Sequence, residues 1–172
     1  MPSTDCKNNE ISGDRELCNI EKDLVRAQNT AYRYLTYRGR SCKEVEKKLK
    51  GKKFEAIVIH NVIDHLSRLG YINDCAFAAQ WAYGRIKFQG IGRRRIVREL
   101  NQKGVDKNTI ETIIDKTITH EDEYKAAQKA VEKKLSGMKN VAPEVRRRRL
   151  AGYLDRKGYS YDIIREMLHM AG

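Results

Sequence analysis

Residues 96–114 read IVRELNQKGVDKNTIETII, and five apolar positions in this stretch, Ile96, Leu100, Val105, Ile110 and Ile114, decide the fold. The steps between them are 4, 5, 5 and 4. The same steps separate Val45, Leu49, Phe54, Ile59 and Ile63, each 51 positions earlier. They separate Leu150, Leu154, Tyr159, Ile164 and Leu168 as well, each 54 positions later. Chance does not hold one spacing through three copies. The chain is therefore expected to be a tandem array of like modules, and arrays of this kind usually bind rather than catalyse.

Composition agrees with a row of small cores. Hydrophobic residues are 40% and charged residues 34% of 172, with a mean hydropathy of −0.71. So much charge leaves little apolar surface for one large core. Two prolines among many Lys, Arg, Glu, Leu and Ala residues point to helices. The expected fold is all-α, an elongated array of three three-helix modules at 23–70, 71–118 and 119–172, after a polar and mobile leader at 1–22.

Local signals place the helices. The first is expected from Asp23 to about Tyr37, with Leu17 and Ile20 as docking candidates ahead of it. Ser41 opens the second as N-cap, Glu44 completes a capping box, and the helix stops near Lys52. A third, from Glu55 to Arg68, ends at Gly70. In the second module Asn73-Asp74 starts a helix that Gly90-Ile91-Gly92 breaks, and helices at 93–103 and 107–117 follow. The third module repeats the plan at 121–136, 144–156 and 161–170. Lys103-Gly104 and Lys157-Gly158 form the hinge between second and third helices in two copies. The first copy has Lys52-Lys53 instead, a cost of about 1 kcal/mol if that lysine sits left-handed. Gly51 offers an earlier helix end that would avoid it.

The net charge is +12, from 35 Lys and Arg against 23 Asp and Glu. Such an excess draws polyanions: nucleic acid first, acidic protein surfaces second, anionic membranes a distant third. No stretch approaches the roughly 18 apolar residues of a spanning helix. The polar start, Met1 to Glu10, has no signal-peptide core, so a soluble, cytoplasmic chain is expected. Cys6, Cys18, Cys42 and Cys75 lie 12, 24 and 33 residues apart. No pair has zinc-ligand spacing, and His60, His65, His120 and His169 complete no site. No metal and no cofactor are expected.

Residues 85–103 hold Arg85, Lys87, Arg93, Arg94, Arg95, Arg98 and Lys103 against one acid, Glu99. On a helix facing inward through Ile96, Val97 and Leu100, Arg94 and Arg98 lie one turn apart on the opposite side, with Arg95 beside them. Arg93 leans toward the core edge. The repeat offsets carry Arg94 onto Lys43 and Arg148, Arg98 onto Lys47, and Arg95 onto Arg149 but also onto the acid Glu44. Modules stacked in register would line these cations into a discontinuous track. The planar guanidinium fork suits phosphate or carboxylate oxygens. A run of charge also fits a merely solvated helix face. Recurrence at equivalent offsets makes a binding track of Lys43, Lys47, Arg85, Arg94, Arg95, Arg98, Arg148 and Arg149 the sharper expectation. Arg146 and Arg147 lean toward the inner face and can pack their stems. Tyr83 and Phe88 are the aromatic residues expected to be exposed; Phe77 and Trp81, four apart, share a packed face.

Several strings resemble the RecX family, regulators of the bacterial recombinase RecA. They are Arg38-Gly39-Arg40-Ser41-Cys42-Lys43-Glu44 with Lys48-Leu49, then Gly70-Tyr71-Ile72-Asn73-Asp74 with Phe77-Ala78. Arg85-Ile86, Gly92, Arg95-Ile96, Glu99-Leu100 and Lys103-Gly104 continue the match, and Arg156-Lys157-Gly158-Tyr159 echoes it in the third module. The likeness spans about 27–172 and is strongest in the middle. It departs from the family pattern at Lys53, where glycine is expected, and in the leader.

What the resemblance implies is an elongated, curved helical array without catalytic residues. Such a protein binds RecA filaments on DNA and suppresses strand exchange and co-protease activity, within recombination, DNA repair and the SOS response. RecA is then the implied partner and the chain acts as a monomer, with naked DNA bound weakly and without sequence preference.

Two other readings compete. One is a helical repeat protein that binds DNA without RecA. A sequence-specific helix-turn-helix reader needs a basic third helix, yet 106–115 holds Asp106, Glu111 and Asp115 against Lys107. An enzyme would need a nucleophile elbow, Walker loop or ligand cluster, and none is present in the sequence.

Overall fold

A computed structural model describes residues 7–138 and 140–171, and residues 7–18 by their backbone alone. Among the described residues there are nine α-helices and no strand. They are α1 (Lys7–Thr36), α2 (Cys42–Lys50), α3 (Ala56–Arg68), α4 (Asp74–Gln89), α5 (Arg93–Gln102), α6 (Lys107–Thr117), α7 (His120–Ser136), α8 (Pro143–Lys157) and α9 (Tyr161–Met170). The chain divides into two compact units, one running to Asn73 and one from Asp74.

The first unit packs α1, α2 and α3 around Ala27, Ala31, Val45, Leu49, Val58, Ile59, Val62, Leu66 and Ile72. The expected capping box is present: Ser41 accepts the Glu44 N–H while the Glu44 carboxylate accepts from the Ser41 backbone. Glu44 also holds Arg38 at 2.7 Å, and the Arg40 guanidinium covers the Tyr34 ring at 4.0 Å. The corner between α1 and α2 is thus tied by one carboxylate.

Two expectations need correction here. Helix α1 begins at Lys7, not near Asp23, so much of the stretch expected as a leader is helical. No proline interrupts residues 7–23, and a helix nucleated by the packed Ala27–Ala31 face extends at little cost per residue. Ile20 packs against the first core; the side chains of Leu17, Cys18 and Cys6 lie outside the described residues. The second correction is at the hinge. Gly51 stays right-handed at φ −64°, and Lys53 takes φ +63°. The lysine bears the strain.

That strain preserves a repeated device. Gly104 and Gly158 occupy the equivalent left-handed positions, at φ +77° and +82°. After each hinge residue the next N–H reaches back five residues to a leucine carbonyl: Phe54 to Leu49 at 3.4 Å, Val105 to Leu100 at 3.2 Å, Tyr159 to Leu154 at 3.3 Å. This is the 6→1 bond of a Schellman C-cap. It ends each middle helix with the same cap and presents the third anchor of each copy to its own core.

The second unit contains two cores. One gathers Phe77, Ala82, Ile86, Ile96, Leu100, Val105, Ile110 and Ile114 from α4–α6 and the segments between them. The other gathers Ala127, Val131, Leu150, Leu154, Tyr159, Ile163, Ile164 and Met167 from α7–α9 and the hinge before α9. No helix among the described residues is long and apolar enough to cross a membrane.

A joint of backbone hydrogen bonds links the two bundles of this unit. The N–H of Gly92, N-cap of α5, donates to the Lys157 carbonyl at 2.9 Å, and that of Arg94 to the Gly158 carbonyl at 2.9 Å. The Arg93 N–H donates to Glu123 Oε1 at 3.1 Å. Helix starts leave N–H groups unpaired and helix ends leave carbonyls unpaired. Here each supplies what the other lacks, with the positive end of α5 set against the negative end of α8. Glu123, only 4% exposed, also accepts the Ser160 N–H at 3.2 Å, so one carboxylate serves both bundles. The Tyr159 hydroxyl donates to the Gly90 carbonyl at 2.9 Å, and burial pushes its phenol pKa up.

Candidate anion-binding surface

Glu99, the single acid of the basic stretch, organises the cations around it. It accepts the Trp81 indole N–H at 3.1 Å and Arg95 Nε at 3.2 Å. Arg85 Nε lies 2.7 Å from Oε2, the oxygen that also takes the indole N–H, close enough to pair though not aligned as a hydrogen bond. The Arg85 guanidinium and the Lys103 ammonium stand 4.3 Å and 4.1 Å from the Trp81 ring. Arg85 is therefore held against α4 by a carboxylate and an aromatic face.

Arg94 does not project freely from the back of α5. It reaches Asp155 at 3.0 Å and the Tyr159 carbonyl at 3.3 Å, and lies 4.6 Å from the Tyr161 ring. The face of α5 opposite its own core is the face that meets α8 and α9, which the helical wheel of one module does not reveal. Arg93 sits at the helix start, where its side chain pairs with Asp115.

The remaining candidates are open. Arg98, Arg148 and Arg149 are exposed and have no ion pair among the described residues. Lys43 pairs with Glu46 at 3.1 Å within α2, and Lys47 is exposed on the same helix. The two flanking lysines, Lys50 then Lys43, hold the Glu46 carboxyl below the usual range. These two lysines belong to the first unit; the arginines belong to the second.

One cation absent from the expected track joins it in space. Arg156, near the end of α8, lines a cleft of about 300 Å³ with Arg95, Arg98, Glu99 and Gln102 of α5. Its repeat equivalent in the second module is Gln102, so recurrence of charge gave no sign of it. The signal available was only the charged end of a helix before a hinge. On the other side of α5, Arg93, Arg94, Val97 and Arg98 line a shallower groove.

Among the aromatic candidates, Tyr83 and Phe88 are exposed, as expected, and meet edge to face at 6.1 Å. Phe77 is buried and Trp81 half-buried in the α4–α6 core. Helix α6 presents carboxylates: Asp106 caps it through the Thr109 N–H, and Asp115 is spent on Arg93. A helix of that kind repels phosphate in a major groove. Cys42 is half-buried and Cys75 exposed. Among the described residues no cluster of His, Cys, Asp and Glu could hold a metal.

Comparison with known proteins agrees with this architecture. The chain matches the first three-helix domain of RecX over residues 27–66, the second over 73–113 and the third over 121–168. It is 33% identical to the regulatory protein RecX of Thermobifida fusca over 152 residues, 86% of this chain and 82% of that one. It is 39% identical to the regulatory protein RecX of Bacillus subtilis, covering 83% of this chain but 53% of the relative, so it spans about half that protein's length. The crystal structure of RecX from Lactobacillus salivarius superposes with a TM-score of 0.79 at 26% identity, over 88% of this chain and 97% of that one. Three matched domains in tandem, each one a bundle built on the repeated apolar skeleton, place the chain in the RecX family of regulatory, non-enzymatic proteins.

Proposed function

We propose that this chain regulates the RecA recombinase by binding the RecA–DNA filament, limiting filament growth, strand exchange and co-protease activity. The observation that carries the reading is the pairing of a stiff joint with unspent cations. Arg98, Arg148 and Arg149 stand on α5 and α8 without ionic partners among the described residues, and the Gly92–Lys157 and Arg94–Gly158 bonds fix those helices to each other. A filament offers acidic protein surface and DNA phosphate in a regular array. A ligand with cations at set separations gains by making each further contact intramolecular. The candidate cations divide accordingly: Lys43 and Lys47 of the first unit and Arg95, Arg98, Arg148 and Arg149 of the second meet the filament, while Arg85 and Arg94 hold the surface of the second in shape. Contact with naked DNA is weak and indifferent to sequence, and the chain acts as a monomer in the cytoplasm.

The test is RecA filament length and DNA-stimulated ATP hydrolysis with and without the purified chain. Inhibition below one chain per RecA protomer is expected. Equal binding to bare DNA with no effect on RecA would replace this reading with a general DNA-binding one. The triple variant Arg94→Ala, Arg95→Ala and Arg98→Ala is expected to lose inhibition while keeping its helical signal. Full inhibition by that variant removes the α5 arginines from the mechanism.

A further inference from the structure

We propose that the cleft between α5 and α8, lined by Arg95, Arg98 and Arg156, is a phosphate site that grips the sugar-phosphate backbone of nucleic acid. The proposal deepens the filament reading and rests on it for the source of the nucleic acid. Its direct readout, binding to nucleic acid, does not require RecA.

Three arginines from two bundles line about 300 Å³ of open cleft. Glu99 is the one carboxylate in the lining, and it is already shared among Arg95, Arg85 and Trp81. Arg98 and Arg156 have no ion pair among the described residues. Like charges brought together repel, and neither side chain supports a core. Beside the cleft, burial first and then the charges of Arg95 and Lys133 push the Lys157 ammonium pKa down. An anion in the cleft relieves that repulsion.

The lining also selects the kind of anion. Protein interfaces centre on apolar or aromatic anchors, and single-strand sites that read bases stack them on aromatic rings. Arg95, Arg98, Glu99, Gln102 and Arg156 offer neither. What they offer is a set of forked donors suited to phosphate oxygens. The site is also fixed in place. A Cβ on Gly158 would lie 2.4 Å from Arg95 Cβ, so the hinge before α9 abuts the helix that carries two of the three arginines.

The chain carries its own reporter. Trp81 is its single tryptophan, and it shares Glu99 with Arg95. A phosphate that draws Arg95 from Glu99 changes the surroundings of the indole N–H.

The experiment uses the full chain and labelled mixed-sequence oligonucleotides, single-stranded and duplex, with anisotropy and Trp81 emission followed over a salt series. Arg156→Gln and Arg98→Gln are each expected to weaken binding alike on all sequences. Each should reduce the slope of log K against log salt by about one, and Arg156→Lys should retain most of it. Arg165→Gln, which breaks only an exposed pair with Asp162 on α9, should leave binding unchanged. Both glutamine positions are exposed, and circular dichroism checks that the variants fold. Parental affinity and slope in both glutamine variants overturn the proposal. Loss of RecA regulation with an unchanged slope on nucleic acid also overturns it, because the cleft then holds protein carboxylates. A reduced slope in a chain that does not regulate RecA supports the cleft and removes the filament reading instead.

Discussion

A methyl group placed on Gly92 would stand 2.4 Å from the backbone nitrogen of Tyr159. The neighbouring atoms are also backbone, the Gly158 carbonyl carbon and oxygen at 2.5 Å, so no side chain can swing aside. Gly92 is needed here for closeness and not for a positive φ. Gly92→Ala is therefore expected to part the two bundles of the second unit while leaving each bundle's own core intact. Overpacking of this kind costs about 1–3 kcal/mol, and the joint's hydrogen bonds are lost with it. In urea denaturation of the full chain, the bundles of 74–172 are expected to unfold together in the parent and in two separate transitions in the variant, with the far-ultraviolet helical signal before unfolding nearly unchanged. A single transition at the parental midpoint would show that the joint tolerates the methyl.

Lys53 gives the opposite expectation. It holds φ +63° where its two counterparts are glycines, and a left-handed non-glycine residue costs about 1–2 kcal/mol. Lys53→Gly regains part of this and gives back some entropy to the unfolded chain. The net gain should be about 0.5–1 kcal/mol. It should appear as a raised denaturation midpoint for the first unit. Gly104→Lys, the reciprocal change, should lose about as much.

How far the fold could be read from the chain varies along it. The anchors were legible because each packs on its own core: Ile96, Leu100, Val105, Ile110 and Ile114 are each at most 3% exposed, and Phe54, Ile63 and Leu168 in the other copies are half-buried against theirs. The capping box at Ser41 was legible because it is local chemistry. Arg94 was only half legible. Periodicity put it opposite Ile96 and Leu100, but could not tell a face open to solvent from one covered by Asp155 and Tyr161. Glu123 gave no signal at all. In sequence it is one of three acids in a first helical turn, and only the approach of α5 and α9 makes it the buried acceptor at the joint. Arg156 escaped for a similar reason, since its partners Arg95 and Arg98 are about sixty residues away in the chain.

Glu123 accepts two backbone N–H groups from different bundles. Glu123→Ala leaves both part-buried donors without this partner, and each orphaned group costs up to about 1–3 kcal/mol. Glu123→Gln keeps an acceptor oxygen but loses the charge, so its cost should be roughly half. Chemical denaturation of the two variants beside the parent measures the difference. Equal stability of Glu123→Ala and the parent would mean water replaces the carboxylate at no cost.

Tyr159 makes stability fall in alkali. Its buried phenol has a pKa raised above the ordinary value of about 10. The neutral form is favoured in the folded state, so the unfolded chain releases this proton first as pH rises. The stabilisation is complete below about pH 10 and declines above it. Tyr159→Phe loses the hydrogen bond to Gly90, about 1 kcal/mol at neutral pH, yet should show a flatter decline above pH 10. Parallel curves for the two proteins would assign the alkaline loss to other groups.

Arg94 and Arg98 lie one turn apart on α5, and the structure separates their roles. Arg94 meets Asp155, the Tyr159 carbonyl and the Tyr161 ring, all on the neighbouring bundle. Arg98 has no ion pair among the described residues. Arg94→Ala should lower stability by about 1 kcal/mol, the scale of a partly exposed ion pair with a cation–π contact. Arg98→Ala should leave the unfolding midpoint within about 0.5 kcal/mol of the parent and reduce affinity for the anionic partner instead. The two measurements, thermal unfolding and binding, sort the pair without reference to each other. A stability loss at Arg98 with parental binding would reverse the assignment, making Arg98 the structural residue and Arg94 the contact.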